Sequence, residues 1–513
     1  LKDVPGPWLA KYTSLLLGYY TRTGKRYLYV DNLHKKYGPF VRITPTQVSC
    51  ASQSAPNTVY AQGSASLAKT PFYRAFYVDG TPSLFSTQDR SGHASKRRVL
   101  AHPFAYASVK QFEGWIRKSV GKMVRKLDNR AGLGVGADIP GRAAGSVTSG
   151  SSGGVVDVLM WLNYLTFDVI SDLAFGEPLG MLERETDVLI GDSDHMSNGA
   201  DEKEKGVAAM IDYRGRTAAF LGLFPYLLPG SIWAPLTRWI PDGFVQRGLQ
   251  GTDTLSQIAQ RCVKDRLESG AAGRRGDLLD RLVDDMRAKQ AGGGDEGEVN
   301  EADVVTDAML LLTAGSDTTA NSTAAILYWI YKTPSVLQRL RKEIDEALQN
   351  SQDIGLPPSE IIVKNLKYLN ATIDEGLRMF ATNAFGLPRV VPDGMDVSID
   401  GKTFLPGTEL SVPAYTMQRD PRIWGSDAET FRPERWIEAE GKGGKLTEMR
   451  RNLMTFGMGP RACIGKNLAM LQMQILIATF VGRYDLALQD DELKSVEGFM
   501  HKPVDLWAGI TLR

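Results

Sequence analysis

Apolar residues recur at intervals of three and four along most of the chain, the spacing that gives a helix one buried face. Segments 103–128, 155–176, 253–269, 277–289, 334–349, 368–380 and 466–482 each predict a helix on this ground. The longest begins at Glu301 behind Asn300, a good N-cap, and runs until Pro334 stops it. At about 1.5 Å per residue such a helix crosses an entire domain. Period-two alternation is confined mainly to FVRIT at 40–44, TQVSCA at 46–51 and VVPDGMDVSIDGKTFLPGTELSV at 390–412, the last a hairpin-like pattern with Asp-Gly turns. The expected fold is mainly α with small antiparallel β-sheets.

Between the periodic segments lie stretches of other character. Residues 129–154 are rich in Gly, Ser and Ala without hydrophobic periodicity and predict a flexible insertion. Their GLGVG is no nucleotide loop, because no strand leads into it and a proline follows shortly after. An acidic, glycine-rich stretch at 291–303 delivers the cap of the long helix. The chain begins at Leu1, and Pro5-Gly6-Pro7 cannot join a helix, so 1–20 is expected to be a Pro-rich spacer behind a missing N-terminal membrane anchor. Residues 21–513 are then the catalytic domain. The segment 221–244 is broken by Pro225, Pro229, Pro235 and Pro241, too often for a spanning helix, yet its Leu, Phe and Trp suit a surface dipping into a bilayer.

Composition narrows the chemistry. The 513 residues are 43% hydrophobic and 23% charged, ordinary for a globular chain, and Lys plus Arg (60) nearly equals Asp plus Glu (59). No basic excess points to nucleic acid. Cys50, Cys262 and Cys463 are too few and too separated for a disulfide framework or a zinc cluster, and none of the five histidines makes a His-x-x-x-His pair.

Cys463 stands out by its setting. It sits in a loop with Gly457, Gly459 and Gly465, two residues after Arg461 and just ahead of an apolar helix. Backbone N–H groups, a helix N-terminus and a guanidinium all favour thiolate over thiol. A buried structural cysteine, a nucleophile lacking a nearby histidine base, and a single axial ligand to heme iron are the three readings of such a loop. The third also needs cations distant in sequence for the two propionates, and His93, Arg97 and Arg389 are available.

Phe456-x-x-Gly459-x-Arg461-x-Cys463-x-Gly465 resembles the heme-binding signature of the cytochrome P-450 superfamily of heme-thiolate monooxygenases. Glu375-x-x-Arg378, the Arg435 of FRPERW, AGSDTT at 314–319 and His93-x-x-x-Arg97 match its other motifs in the expected order. Two departures occur: Gln418-Arg419-Asp420-Pro421 where the family has a histidine first, and His93 in place of tryptophan.

The resemblance implies one heme-binding body and heme b (iron protoporphyrin IX) as cofactor. Cys463 is implied as the iron ligand, with His93, Arg97, Ala314, Arg389, Phe456, Arg461 and Gly465 around the macrocycle. It further implies Glu375, Arg378 and Arg435 as a buried ionic network, Asp317 and Thr318 as the proton-delivering pair, and Gly315 leaving room for oxygen. No reductase domain is fused to the chain, so NADPH-cytochrome P-450 reductase is the implied partner and molecular oxygen the co-substrate. Lys96, Arg98, Arg117, Lys118, Lys122 and Arg125 are candidates to meet it.

GLPRVVPDGM, VPAYTMQRDP and the Cys463 segment are most similar to the fungal benzoate 4-monooxygenase branch, microsomal enzymes acting on simple aromatic acids. The expected reaction is hydroxylation of a small aromatic carboxylic acid, benzoate at the para position, with O-demethylation of methoxybenzoates alongside. The expected location is the endoplasmic reticulum membrane, catalytic body toward the cytosol. TPFYRAFY at 70–77 supplies Phe72, Tyr73, Arg74 and Tyr77 as candidate substrate contacts, faced by Met309, Thr313, Asn383 and Phe385. A secondary-metabolite hydroxylase or demethylase of the same superfamily is the rival reading. A heme-thiolate sensor is another, but it would not need the Asp317-Thr318 pair.

Overall fold

The computed structural model describes residues 1–61, 66–132, 154–188, 206–269, 276–291, 300–349 and 357–513. Seven helices build the site and are labelled in chain order: α1 (Arg90–Ala101), α2 (Val158–Phe175), α3 (Val207–Leu221), α4 (Gly243–Ser269), α5 (Glu301–Lys332), α6 (Lys367–Met379) and α7 (Lys466–Arg483). The long helix starts where its sequence predicts. Asn300 Oδ1 accepts from the Asp303 amide at 3.0 Å, and the Asp303 carboxylate accepts from the Asn300 amide, a reciprocal capping box.

α5 is buried along most of its length, including polar side chains such as Thr313, Ser316 and Asp317, as a helix through the middle of a large core is. It packs along α2 and touches α4, α6 and α7, within one cluster of buried side chains that includes Leu162, Ile170, Leu312, Ile326, Leu377, Ile475 and Phe480. α2 has the length and apolarity of a membrane span, but 83% of it is buried inside the protein, so it is a core helix.

Strands flank this helical body. One sheet takes the order Phe40–Arg42, Gln47–Cys50, Glu409–Ser411, Arg389–Val390, Ala68–Lys69. Its Gln47–Cys50 and Glu409–Ser411 strands run parallel, so the sheets are not all antiparallel as expected. Val397–Ile399 and Lys402–Phe404 form the predicted Asp-Gly hairpin. A three-stranded sheet of Val155–Asp157, Trp507–Leu512 and Tyr484–Leu488 was not foreseen, and it shortens the helix expected from 155 so that it starts at Val158. Asp157 makes the switch by accepting from the Leu159 amide as N-cap.

Of the flexible insertion expected at 129–154, residues 129–132 belong to the helix Glu113–Gly132, and 133–153 lie outside the described residues, as do 292–299 of the acidic stretch. Residues 1–20 are not a free spacer. The Pro5 carbonyl accepts from the Arg42 amide at 2.8 Å, Val4, Ala10 and Leu17 are buried, and Leu15–Arg22 is a helix packed on α3.

Candidate functional site

The Cys463 loop is shaped by backbone geometry only glycine takes easily. Gly457 and Gly459 have φ of +64° and +67°, and a Cβ on Gly459 would run into the Tyr60 carbonyl. Cys463 N donates to the Phe456 carbonyl at 2.8 Å, and Arg97 Nη1 donates to the Ala462 carbonyl at 2.9 Å, fixing the loop to α1. The sulfur opens into an internal cavity at the start of α7. Burial pushes the Cys463 thiol up, although the Gly465 and Lys466 amides and the Arg97 charge pull it down. The groups that favour thiolate in the sequence reading are thus present, with desolvation opposing them.

α5 forms the opposite wall with Leu310, Leu311, Ala314, Gly315 and Thr318. Thr318 Oγ1 donates to the Ala314 carbonyl at 2.8 Å, and Thr313 and Thr323 make the same i−4 bond, a pattern that loosens and bends a helix locally. Gly315 lines the cavity and also serves packing: a Cβ there would meet Ile170 Cδ1 and Cγ1 of α2 at 2.7 Å. Asp317 is buried and does not line the cavity. Its carboxyl is pushed up by desolvation and held down by Lys502, which is 3.3 Å from Asp212 of α3. Acid and alcohol thus occupy different faces of one helix turn.

One edge of the cavity concentrates positive charge. His93, Arg97 and Arg461 line it, joined by Lys69, which the motifs did not single out. Arg461 donates to the carbonyls of Thr87, Gln88 and Asp89, and Arg389 to the Tyr73 hydroxyl and the Pro388 carbonyl. Lys69 donates to the Phe85 carbonyl. All these acceptors are neutral, and no described carboxylate forms an ion pair with Lys69, Arg97, Arg389 or Arg461. Burial first, and then the neighbouring positive charges, push His93 down to about 3 and Arg461 to about 10. Two buried and two half-buried cations, with no ion-paired carboxylate among the described residues, suit a multiply charged anion. Two propionates supply that charge, and one open sulfur facing an apolar cavity meets the rest of heme's requirements. His93, Arg97, Arg461, Lys69 and, one layer behind, Arg389 would hold such a group, with Phe456, Gly465 and Ala314 against its faces.

The ionic network forms as the resemblance implies. Glu375 Oε1 is 2.8 Å from Arg378 Nη2 and 2.9 Å from Arg435 Nε. The carboxylate also accepts from Trp436 Nε1 and the Arg432 amide, each at 2.9 Å, two partners sequence reasoning missed. Gln418 explains the departure at its position. Its amide donates to the Leu377 and Arg378 carbonyls at 2.9 Å and its Oε1 accepts from the Met454 amide at 3.0 Å, stapling the end of α6 to the approach of the Cys463 loop.

Of the candidate substrate contacts, only Asn383 lines the cavity. Phe72 and Phe385 pack edge to face in an aromatic cluster, Tyr73 is spent on Arg389, and Arg74 Nε donates to Gln88 at 2.9 Å. Met309 and Thr313 are buried in α5, and Tyr77 follows the 3₁₀ turn Pro71–Phe76 without reaching the cavity. The lining comes instead from Lys69, Phe85, Leu310, Leu311, Leu387 and Met500. A further correction concerns Lys96, which bridges Asp303 and Asp307 at 2.9 Å and so ties α1 to α5 rather than presenting charge to a partner.

A lone cysteine at the foot of one helix, a Thr-bearing helix facing it and a carboxylate-free nest of cations beside them define a heme-thiolate fold. The cytochrome P-450 family matches residues 5–505, and the chain belongs to that family: it is a P-450 monooxygenase. It is 38% identical over 521 aligned positions, covering 100% of this chain and 93% of the relative, to "Benzoate 4-monooxygenase bphA" of Aspergillus niger. It is 30% identical to "Cytochrome P-450 monooxygenase gsfF" of Penicillium aethiopicum, over 96% of this chain and 89% of the relative, and 27% identical to "Pisatin demethylase" of Fusarium vanettenii, over 96% and 86%. Membership implies a heme cofactor, molecular oxygen and a reductase as the source of electrons.

Proposed function

We propose that the protein hydroxylates a small aromatic carboxylic acid, benzoate at the para position, with heme b as cofactor and electrons from NADPH through cytochrome P-450 reductase. The whole-length similarity to a benzoate 4-monooxygenase carries this reading. The cavity supports it: Phe85, Leu310, Leu311, Leu387 and Met500 suit a flat apolar ring, with Asn383 as a polar contact. A demethylase among the relatives supports O-demethylation of methoxybenzoates as a second outcome at the same site.

When bound, heme supplies oxygen activation and insertion of one oxygen atom into the substrate. The chain's residues do the rest. Cys463 would hold the heme iron through its sulfur, and the Glu375, Arg378 and Arg435 network with Gln418 keeps its loop in place. Thr318 offers a hydroxyl to the cavity, and Asp317, on the adjoining face, takes protons from the side of Lys502 and Asp212 and passes them toward it. Arg98, Lys118 and Arg125 are exposed and remain candidates for the reductase face, with the partly buried Arg117 and Lys122 beside them.

A membrane-associated enzyme of the endoplasmic reticulum, body toward the cytosol, is the location we propose. Trp8, Tyr12, Leu15 and Tyr19 near the start and Tyr226, Ile232, Trp233, Leu236 and Trp239 in the proline-broken segment are all exposed. The two regions are neighbours through the contact of Leu15–Arg22 with α3. Exposed aromatic and aliphatic clusters of this kind suit a lipid interface.

Optical titration of the ferric holoenzyme with benzoate, 4-methoxybenzoate and a larger terpenoid tests the substrate reading. A low-to-high-spin shift with benzoate, and para-hydroxybenzoate as product in the reconstituted system, is expected. No response to any benzoate would remove it and leave family membership intact.

A further inference from the structure

Three polar side chains meet on one part of the cavity wall. Ser322 Oγ and Thr382 Oγ1 lie 2.8 Å apart, joining α5 to the segment that follows α6, and both residues are buried. Asn383 comes next in the chain, and all three line the cavity. Thr318 and Thr319 donate to carbonyls of their own helix, whereas Ser322 reaches across to another element.

The hydrogen-bonding capacity of this cluster is not used up. Two hydroxyls carry two protons and their mutual bond takes one, so the other has no acceptor among the described residues. Nor does the Asn383 side chain bond to any of those residues. Its Oδ1 is enclosed without a partner, while Nδ2 keeps accessible surface on a half-buried residue whose neighbours Thr382 and Ala384 are buried. With neither end engaged, the amide can turn both N–H groups toward a ligand. One O–H and two N–H groups therefore stand at the cavity in want of an acceptor.

The backbone keeps these donors in place. The Thr382 carbonyl accepts from the His501 amide at 2.8 Å and the Ala384 carbonyl from the Tyr415 amide at 3.0 Å, while Ser322 is carried by α5. Donors fixed before a ligand arrives cost little ordering when it binds.

The cluster is also separate from the cationic nest. His93 and Arg97 belong to α1, which Lys96 ties to Asp303 and Asp307 at the beginning of α5. Ser322 lies about 22 Å further along that helix. Propionates among the cations would leave the cluster unspent. Other lining residues, Phe85, Leu310, Leu311, Leu387 and Met500, are apolar and give a flat ring its surface without competing for the donors. A carboxylate is acceptor-only, and two or three donors converging on it keep it ionised in an enclosed site.

We propose that Ser322, Thr382 and Asn383 form the carboxylate subsite for an aromatic-acid substrate, with Asn383 Nδ2 and the free proton of the hydroxyl pair donating to the carboxylate oxygens. This rests on the aromatic-acid reading above, and it puts the acid-binding group after α6 rather than at Arg74. The site then selects an acid by convergent neutral donors, without a counter-charge of its own.

The test measures dissociation constants of the ferric holoenzyme for benzoate and for toluene, a ring of similar shape without an acceptor, by spin shift or by competition with imidazole. Wild type, Asn383→Leu, Asn383→Asp and the double variant Ser322→Ala, Thr382→Val are compared at equal heme content. Asn383→Leu and the double variant should each weaken benzoate by about 10-fold or more and toluene by no more than about twofold, the loss of a hydrogen bond to a charged group. Asn383→Asp, nearly the same shape, should weaken benzoate more than Asn383→Leu because two carboxylates would face each other, and it serves alone if the leucine variant fails to load heme. Equal weakening of benzoate and toluene would make the cluster a packing element and overturn the proposal, as would unchanged benzoate binding in the Asn383 variants. A wild type blind to every benzoate would overturn the substrate reading and this subsite together, an outcome distinct from a wild type that binds benzoate and variants that bind it equally well.

Discussion

Arg435 Nε meets Glu375 Oε1 at 2.9 Å, joining a residue of α6 to one sixty positions later, with both side chains almost wholly out of solvent. The same carboxylate holds Arg378, Trp436 Nε1 and the Arg432 amide. Glu375→Ala would leave Arg378 buried with carbonyl acceptors but no carboxylate, Arg435 with Asp427 as its remaining carboxylate, and the Trp436 indole N–H without its acceptor, at a cost of about 3 to 5 kcal/mol. The expected product is protein with little or no heme, checked by the pyridine hemochrome ratio. Full heme content would contradict the network's role in seating the Cys463 loop.

Thr318→Ala removes the hydroxyl that α5 presents to the cavity. Substrate-dependent NADPH consumption should continue while hydroxylated product falls by about 10-fold or more and hydrogen peroxide rises. Product yield equal to wild type would exclude a proton-handling role for Thr318.

Lys502 is the positive charge that holds the buried Asp317 carboxyl down. Lys502→Met removes it and leaves desolvation and the Asp212 charge, both of which raise that pKa. An ionised Asp317 would then require higher pH, so the acidic limb of the turnover profile should move upward while benzoate affinity holds. A limb that stays put or moves down would separate Asp317 from proton delivery.

His501 lies among Phe380, Tyr27 and Tyr415, stacked on Phe380 at 4.2 Å, and burial pushes it down to about 3. The folded state resists a proton the unfolded chain accepts at about 6.5. Stability from this residue is therefore complete above about 6.5 and falls as pH drops toward the folded value, by about 1.4 kcal/mol per unit. His501→Gln should lose less melting temperature than wild type between pH 7 and 5. Parallel losses would show that His501 is not an acid-labile point.

Gly315→Ala should destabilise by about 1 to 3 kcal/mol through collision with Ile170. Adding Ile170→Ala to it should recover part of that loss, so that thermal unfolding of the double variant is milder than the two single effects summed. Strict additivity would place the strain elsewhere.

Much of this site was legible because its signals are local. A capped, proline-stopped apolar run gives α5 its bounds, and a ten-residue spacing gives the Cys463 loop. What escaped depends on direction or on distant pairing. Phe72, Tyr73 and Arg74 lie in a 3₁₀ turn and Tyr77 just after it, and sequence could not tell which of them faces the cavity; none does. Asp317 is one residue from Thr318, yet a helix turns about 100° between them, so acid and alcohol face different neighbours. Lys69 owes its place to a two-residue strand paired with Arg389, too short to leave a pattern. Val155–Asp157 has its sheet partner some 350 positions away, and its local apolar run reads as helix.

The nest formed by Lys69, Arg97, Arg389 and Arg461 also bears on how the protein comes to be stable at all. Two buried and two half-buried cations, none ion-paired with a carboxylate among the described residues, repel one another inside the fold, and a dianion settling among them would relieve that repulsion. Cofactor capture and the final consolidation of the core are then one linked equilibrium, in which free heme concentration acts on the folded population as temperature or denaturant would. A cell short of heme would hold this chain as a looser, shorter-lived species, and protein abundance would follow heme supply.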